Sequence, residues 1–445
     1  MARQMKDSGI EWMGEIPTTW DSISFWQATE RMATGLNPRD NFELTSDDEY
    51  FYVTIRNFKD GKLYLDDNCD RISPAAWNII QERSQLQVGD ILFASISKDG
   101  QAYIVDTPPV NWNINESVFV IRVNPEFYTP KYFYYHLTDD AYYADLRMDA
   151  TGSTFQSIKQ NKLSKSRLVL PPLAEQHRIA AFLDRKCAEI DAVIERTKAT
   201  IEEYKKLKQA VITEAVTKGV RGSRPMKDSG IEWIGEIPEG WEVAPLKYFI
   251  TGYKAGPFGS SLITDKLNSS GTILVYTPEH VAKKTAELEF NLYLPDERRE
   301  EMQQFVVTPG DIIFPIVGSL GRSMLVTDDM PMGIINQRLA KFRLSASTLA
   351  IEYFLWLFSK SSFYNTYIDL NCRGSIIVNL TKQIVYDMPV PHPMDLSEQA
   401  EIVAYLNEKC AALDTLIAKK TALLTELETY KKSLIYEYVT GKKEV

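Results

Sequence analysis

Cysteine and histidine are scarce: 445 residues hold four of each. Cys69, Cys187, Cys372 and Cys410 show no CxxC spacing and nothing like the density of a disulfide-bonded miniature domain, so free thiols in a reducing compartment are expected. His136, His177, His280 and His392 stand singly, with no HExxH or Cys/His pattern, so no metal site is expected. Long hydrophobic runs are missing too. No stretch of about 18 apolar residues occurs, which excludes a membrane-spanning helix, and the opening residues are polar, without an apolar signal core. A cytoplasmic protein is expected. Net positive charge is absent: 50 Lys and Arg against 60 Asp and Glu leave -10. That argues against a generic nucleic-acid binder, which is basic overall. It leaves room for a specific one, because charge can be local and a partner can supply phosphate contacts.

Catalytic motifs are missing as well. Gly256-Pro-Phe-Gly-Ser-Ser261 lacks the GK[ST] that completes a phosphate loop, and Gly318-Ser-Leu-Gly321 is not GxSxG. Asn124-Pro-Glu-Phe127 lacks one proline of an adenine methyltransferase tetrapeptide, and no glycine-rich cofactor motif precedes it. The chain reads as non-catalytic and without a cofactor of its own.

What is present is a duplication. Residues 5–20 read MKDSGIEWMGEIPTTW and residues 226–241 read MKDSGIEWIGEIPEGW, 13 of 16 positions alike at an offset of 221. Each copy ends in a long heptad-patterned run. In the first, Leu183, Cys187, Ile190, Ile194, Thr197, Ile201, Tyr204, Lys208, Val211 and Ala215 form a 4,3-spaced seam. At an offset of 223 the second reads Leu406, Cys410, Leu413, Ile417, Lys420, Leu424, Leu427, Lys431, Leu434 and Tyr438. Eight of ten positions are apolar in each, with the exceptions at the same two places. Two matched seams in one chain most simply pack on each other as a coiled coil. A disulfide between Cys187 and Cys410 is conceivable; small packing residues are the simpler reading.

Between these repeated ends lie diverged segments that share only landmarks. Gly89-Asp90-Ile91-Leu92-Phe93 matches Gly310-Asp311-Ile312-Ile313-Phe314, Asn115-Glu116-Ser117 aligns with Asn336-Gln337-Arg338, and Gly152-Ser153 aligns with Gly374-Ser375. Short β-rich runs and aromatic helical stretches (130–146 and 349–368) predict α+β globules. Lys59–Lys62 reads as a hairpin turn with Gly61 at positive φ. The prolines of 389–393 are expected to stop a strand, and Ser397 to cap the second long helix. The expected fold class is α+β: two pseudo-repeated mixed domains separated by two long antiparallel coiled-coil helices. The expected boundaries are 1–172, 173–220, 221–394 and 395–445. Repeated parts should face a common environment and diverged parts two different ones.

Local positive charge supplies candidate nucleic-acid contacts. Residues 147–167 hold Arg147, Lys159, Lys162, Lys165 and Arg167 against Asp149 alone, with Ser153, Thr154, Gln156 and Gln160 able to read base edges or hold phosphates. The aligned stretch of copy two offers Arg373, Ser375, Asn379 and Lys382. Further candidates are Arg56, Lys59, Lys62 and Lys98 in the first globule. In the second they are Lys254, Ser260, Ser261, Lys266, Arg322, Gln337 and Arg338, the last of which could instead be buried against a carboxylate.

The duplicated KDSGIEWxGEIPxxW opening, the GDI(L/I)F strands, the GPFGSS stretch and the helix entries Leu173-Ala-Glu-Gln176 and Leu396-Ser-Glu-Gln399 together resemble the specificity (S) subunit of type I restriction-modification systems. The resemblance runs along essentially the whole chain. It implies two target recognition domains, each reading one half of a bipartite gapped site in double-stranded DNA, with the coiled coil as spacer. It also implies two methyltransferase subunits using S-adenosylmethionine, and two restriction subunits driven by ATP. The rival reading from the residues alone is a non-catalytic two-domain adaptor that binds proteins.

Overall fold

The computed structural model describes residues 3–39, 41–46, 48–59, 61–96, 100–147, 157–257, 262, 267–318, 320–345, 348–359, 362–372 and 379–445. The chain divides into two compact units. One comprises Met1–Lys198 with Ala422–Val445, and the other Ala199–Thr421. The long helices Leu173–Lys218 and Leu396–Val439 therefore each contribute residues to both.

Unit one holds two four-stranded sheets. The first runs Ala102–Ile104, Ile91–Ala94, Val118–Val123, Thr29–Thr34, all antiparallel. The second runs Trp112–Ile114, Tyr50–Val53, Asp70–Ile72, Leu44–Thr45, with its first two strands parallel. Unit two repeats the plan. Met324–Leu325, Asp311–Pro315, Leu339–Leu344 and Ile250–Ala255 form an antiparallel sheet in the equivalent order. Its second sheet again contains one parallel pair, Ile273–Tyr276 with Gly333–Ile335. Even the irregularity recurs: the outermost pair shifts register at Arg122/Val123 in one unit and between Thr251 and Lys254 in the other. Sequences that share only landmarks thus keep the order of the first sheet and the parallel pair of the second, because the landmarks are their fixed points; the second sheets differ at an edge, where Val306–Val307 joins Gly333–Ile335 in unit two while Trp112–Ile114 ends its sheet in unit one.

Two of those points are the GDI(L/I)F strands. Gly89 and Gly310 take φ of +92° and +90°, open to glycine and strained for other residues. The next residue, buried Asp90 or Asp311, accepts a backbone N–H from Gln87 or Thr308 at 2.9 Å. It also pairs with an arginine on the neighbouring strand. Arg122 grips Asp90 through Nε and Nη2 at 2.8 and 2.9 Å, and Arg343 reaches Asp311 at 3.1 Å. The Asp90 bond holds the Arg122 guanidinium above its ordinary pKa.

The repeated opening and helix entry form a second shared device. In unit one the Trp20 indole donates to Glu175 at 2.9 Å, and Arg3 pairs with the same carboxylate at 2.6 Å while lying over the Trp20 ring. In unit two Trp241, Glu398 and Arg224 repeat this at 3.0 and 2.6 Å. The adjacent glutamines, both fully buried, act alike. Gln176 accepts from Thr129 N–H and donates to the Phe127 and Pro171 carbonyls; Gln399 accepts from Ala350 N–H and donates to those of Thr348 and Pro393. The LxEQ entry is a seat that fixes each globule on its helix.

Within each unit the helices run antiparallel. In unit one Phe182 stacks on Tyr438 at 4.5 Å and Lys431 binds Asp191 at 2.6 Å. In unit two Lys208 binds Asp414 at 2.6 Å and Arg221 binds Glu401 at 2.7 Å. Of the seam positions that break the apolar pattern, Lys208 and Lys431 are therefore ion-pair donors. Of the expected seam, Leu183, Ile190, Ile194, Ile201, Leu406 and Leu434 are buried. Tyr204, Val211, Leu413, Ile417, Leu424 and Leu427 are half-buried, as two helices alone cannot enclose a seam.

Several local expectations are corrected. The prolines of Pro389–Pro393 do not stop a strand; they are one, paired only with Trp241–Pro245, where prolines alternate with Val390 and His392, the residues able to donate N–H. The cap of the second long helix is Asp395, which accepts from Ser397 N–H at 2.9 Å, so Ser397 is already in the first turn. The stretch 130–146 is two helices, Pro130–Leu137 and Asp140–Arg147, because Asp139 caps the second by accepting from Ala141 and Tyr142 N–H. All four cysteines are free.

Candidate nucleic-acid interface

In both units the strand that closes the parallel pair passes through a short turn into the strand beside the GDI(L/I)F element. In unit one this turn is Asn115-Glu116-Ser117, and it is clamped from several sides. Asn115 N–H donates to Val53 O at 2.9 Å, Asn115 O accepts from Gly35 N–H at 3.2 Å, and Ser117 O accepts from both the N–H and the hydroxyl of Ser95. In unit two Asn336-Gln337-Arg338 is held the same way, Asn336 N–H to Tyr276 O at 3.1 Å and Ile316 N–H to Arg338 O at 2.9 Å. Each turn is closed internally by its asparagine, Oδ1 accepting the N–H two residues on at 3.1 and 3.0 Å. A glycine abuts each one: a Cβ on Gly35 would lie 1.8 Å from Ile114 O, and one on Gly256 1.9 Å from Asn336 O. Gly256, the first residue of the GPFGSS stretch, is there for this close approach.

The segment before a short helix docks beside each turn. Ile158 N–H donates to Ser95 O in unit one, and Leu380 N–H to Ile316 O in unit two, where Asn379 also bridges Val317. Gln337, Arg338 and Asn379 are thereby brought together at one sheet end, and all three are exposed. The alternative of a buried Arg338 is corrected: within the turn both Gln337 and Arg338 are exposed, and burial resumes at Leu339. Following each docked segment, the helices Gln160–Lys165 and Lys382–Tyr386 present Lys159, Gln160 and Lys382 to solvent. The Lys382 ammonium lies 4.8 Å from the centroid of the Tyr386 ring and 6.0 Å from that of Tyr253.

Other candidates are placed elsewhere or are engaged. Arg56 pairs with Asp70 at 3.1 Å on exposed surface, and Lys62 is exposed on the hairpin that Gly61 turns at φ +70°. Arg147 ends its helix with the guanidinium over Tyr143. Lys254 bonds Gln304 and lies over Phe305, and Arg322 is exposed. Lys98, Ser153, Thr154, Gln156, Ser260, Ser261, Lys266, Arg373, Ser375 and the Lys59 side chain lie outside the described residues. The search by positive charge missed the turn's first-unit member, acidic Glu116; its alignment with Gln337 was the signal that could have found it.

Among the described residues no cluster of His, Cys, Asp and Glu could hold a metal ion, and no helix is long and apolar enough to cross a membrane.

Comparison with known proteins bears on this geometry. The model of the type I restriction modification DNA specificity domain matches residues 35–203. The chain is 26% identical over 452 residues to the protein assigned as the MjaX type I restriction enzyme specificity subunit of Methanocaldococcus jannaschii, covering 97% of this chain and 96% of that one. It is 23% identical over 334 residues to the EcoBI type I restriction enzyme specificity subunit of Escherichia coli, covering 74% and 69%. A solved chain from a study of complex assembly and conformational transition of the type I R-M system shares the fold, with a TM-score of 0.69 at 18% identity over 96% of this chain and 99% of that chain. With its duplicated units, its matched domain and its full-length likeness to named subunits, the chain is similar from end to end to the specificity subunits of type I restriction-modification systems.

Proposed function

We propose that this chain is the non-catalytic DNA sequence-recognition subunit of a type I complex, each unit reading one half of a bipartite, gapped site in double-stranded DNA. The observation that carries the reading is one topology used twice, with the helix seats alike and the clamped turns different. Like seats suit two copies of one partner, and unlike turns suit two half-sites. The continuous helices Leu173–Lys218 and Leu396–Val439 serve as the spacer; at 1.5 Å per residue the first spans about 70 Å.

The partners are two methyltransferase subunits, docked on the helices. Large apolar side chains stand exposed at equivalent positions of the two helices, Val193 with Leu416 and Leu207 with Tyr430, each 42–55% exposed. Exposed apolar surface at repeated positions supports two like docking events. S-adenosylmethionine and ATP are then used by partner subunits, ATP by two restriction subunits where the complex includes them. The protein-binding adaptor has no specific observation in its favour.

Mapping N6-methyladenine across the genome, with this gene present and deleted, tests the reading. A bipartite motif that vanishes on deletion is expected, and exchanging residues 21–171 for those of another specificity subunit should rewrite one half only. Identical motifs with and without the gene would refute it.

The repeated ion pairs carry a further prediction. In a chain ending near Gly222, Lys208 of one copy can meet Asp191 of another, since Lys431–Asp191 and Lys208–Asp414 join equivalent residues. Such a fragment should sediment as a homodimer and direct methylation to a palindromic site. A well-folded fragment that stays monomeric at tens of micromolar would contradict the pairing.

A further inference from the structure

Both units hold a two-residue reading position in the same rigid frame, and its contents differ in chemical kind. In unit one it is Glu116-Ser117; in unit two, Gln337-Arg338. On either side the frame is the same: an asparagine that closes the turn, a glycine packed against its backbone, and a strand beside the buried Asp–Arg pair. Glu116, Gln337 and Arg338 are exposed, while residues 114 and 335, just before each turn, are fully buried. The backbone is fixed to Gly35, Val53 and Ser95 beyond the turn by four hydrogen bonds in unit one, so a side chain there is presented with little conformational freedom to lose on binding.

We infer that Glu116, and Gln337 with Arg338, are direct base readers, Glu116 setting one position of its half-site and Gln337 and Arg338 one position each of the other. This rests on the DNA-recognition reading above and goes beyond it by naming the residues and the chemistry they select. A carboxylate only accepts, so Glu116 takes a base amino group in the major groove, cytosine N4 or adenine N6. Gln337 both donates and accepts, matching adenine N6 and N7, and Arg338 donates twice, matching guanine O6 and N7. Glu116 carries the wrong sign for a phosphate contact, which separates it from the candidate lysines: an acid at a polyanion's surface binds only against a donor. Among the described residues its hydrogen-bond contact is with the Tyr52 hydroxyl at 3.5 Å, which is at the limit of a hydrogen bond and leaves the carboxylate's other lone pairs to a ligand. Tyr52 already donates to Leu36 O at 2.5 Å.

The test uses the full chain with its methyltransferase subunits in a host free of other N6-adenine methylation. Motifs are mapped for the natural chain and for Glu116→Gln, Gln337→Glu and Arg338→Ser, all at exposed positions of the turns. The expected result is that Glu116→Gln relaxes or changes one base of one half, and that Gln337→Glu and Arg338→Ser each relax or change one base of the other. Preference at that base should move by roughly 5- to 150-fold, the range of one good base contact. If the natural chain gives a bipartite motif and every variant gives the same motif at the same rate, the turns do not read bases and the inference falls while the proposed function stands. If a variant weakens both halves together, its effect is on folding or assembly, which also overturns the inference. If the natural chain directs no motif at all, the proposed function fails first.

Discussion

Gly256→Ala should cost about 3 kcal/mol or more and should erase the second half of the methylated motif while sparing the first. A Cβ at residue 256 would sit 1.9 Å from Asn336 O, which must retreat by more than 1 Å to reach ordinary contact. It has nowhere to go. Asn336 N–H is tied to Tyr276 O at 3.1 Å, and Asn336 O itself accepts from Leu339 N–H at 3.1 Å. Gly256 N–H is in turn bonded to Leu339 O at 2.8 Å, so the two segments cannot separate without breaking the strand pairing. Overpacking without an escape route belongs to the large-effect class of single substitutions. Gly240→Ala is the matched control, since its Cβ would meet nothing within 4 Å. Thermal unfolding of the two variants decides it: a Gly256→Ala protein as stable as the control would mean the clamp is looser than described. Gly35→Ala should do the same to the first half, with Ile114 O at 1.8 Å.

His136→Leu should stabilise the protein, and by an amount that grows as the solution is made acidic. His136 is 1% exposed, both its ring nitrogens lack a hydrogen-bond partner among the described residues, and its ring packs 4.8 Å from Tyr142 and 6.2 Å from Trp12. Burial pulls its pKa down to about 3. A histidine with a folded pKa below its unfolded value of 6.5 leaves stability intact above 6.5 and removes it as pH falls from there toward 3, because the unfolded chain takes up the proton first. The loss approaches about 1.4 kcal/mol per pH unit within that window. Asp139, three residues on, works the other way. Burial pushes its pKa up to about 6, so its contribution is present at low pH and is lost as pH rises through 6. The two partly cancel in the natural chain, and the variant exposes the histidine's share as a difference. At neutral pH the gain should be about 1–3 kcal/mol, from removing unpaired buried nitrogens. Leucine fits, for Leu357 occupies the equivalent place in unit two, fully buried. Denaturant unfolding of both proteins at pH 7.5 and 5 checks this; a pH-independent difference would mean the imidazole is solvated.

Much of this architecture was legible because the chain says it twice. The α+β class, the two long helices and the equivalence of the GDI(L/I)F strands follow from patterns at offsets of 221 and 223, where chance agreement is hard to sustain. What the pattern could not convey was function at single positions. Asp90 and Asp311 read as part of a strand motif, yet each is the buried partner of an arginine 32 residues away. Glu175 and Glu398 read as part of the helix-entry motifs, yet each serves a tryptophan about 155 residues distant. Such pairings are long-range, and no local period encodes them. The candidate interface was sought through charge, which found Gln337, Arg338 and Asn379 for their donors but passed over Glu116, since an acid contributes nothing to a count of cations. The proline strand was misread for a related reason: proline is a poor strand former in the interior of a sheet, and only the topology reveals that Pro389–Pro393 has a single neighbour.

The seat made by the tryptophan, glutamate and glutamine at each helix entry has a consequence for inheritance. Because both units plug into their helices through the same few contacts, and because the 16-residue stretch carrying the tryptophan is nearly identical in the two copies, a genetic crossover inside that stretch would join any globule to any helix without disturbing the fit. Specificities would then combine rather than accumulate. A population holding n alternative globules can assemble n squared chains, so the vocabulary of such a protein is limited by the number of parts in circulation rather than by the pace of point mutation.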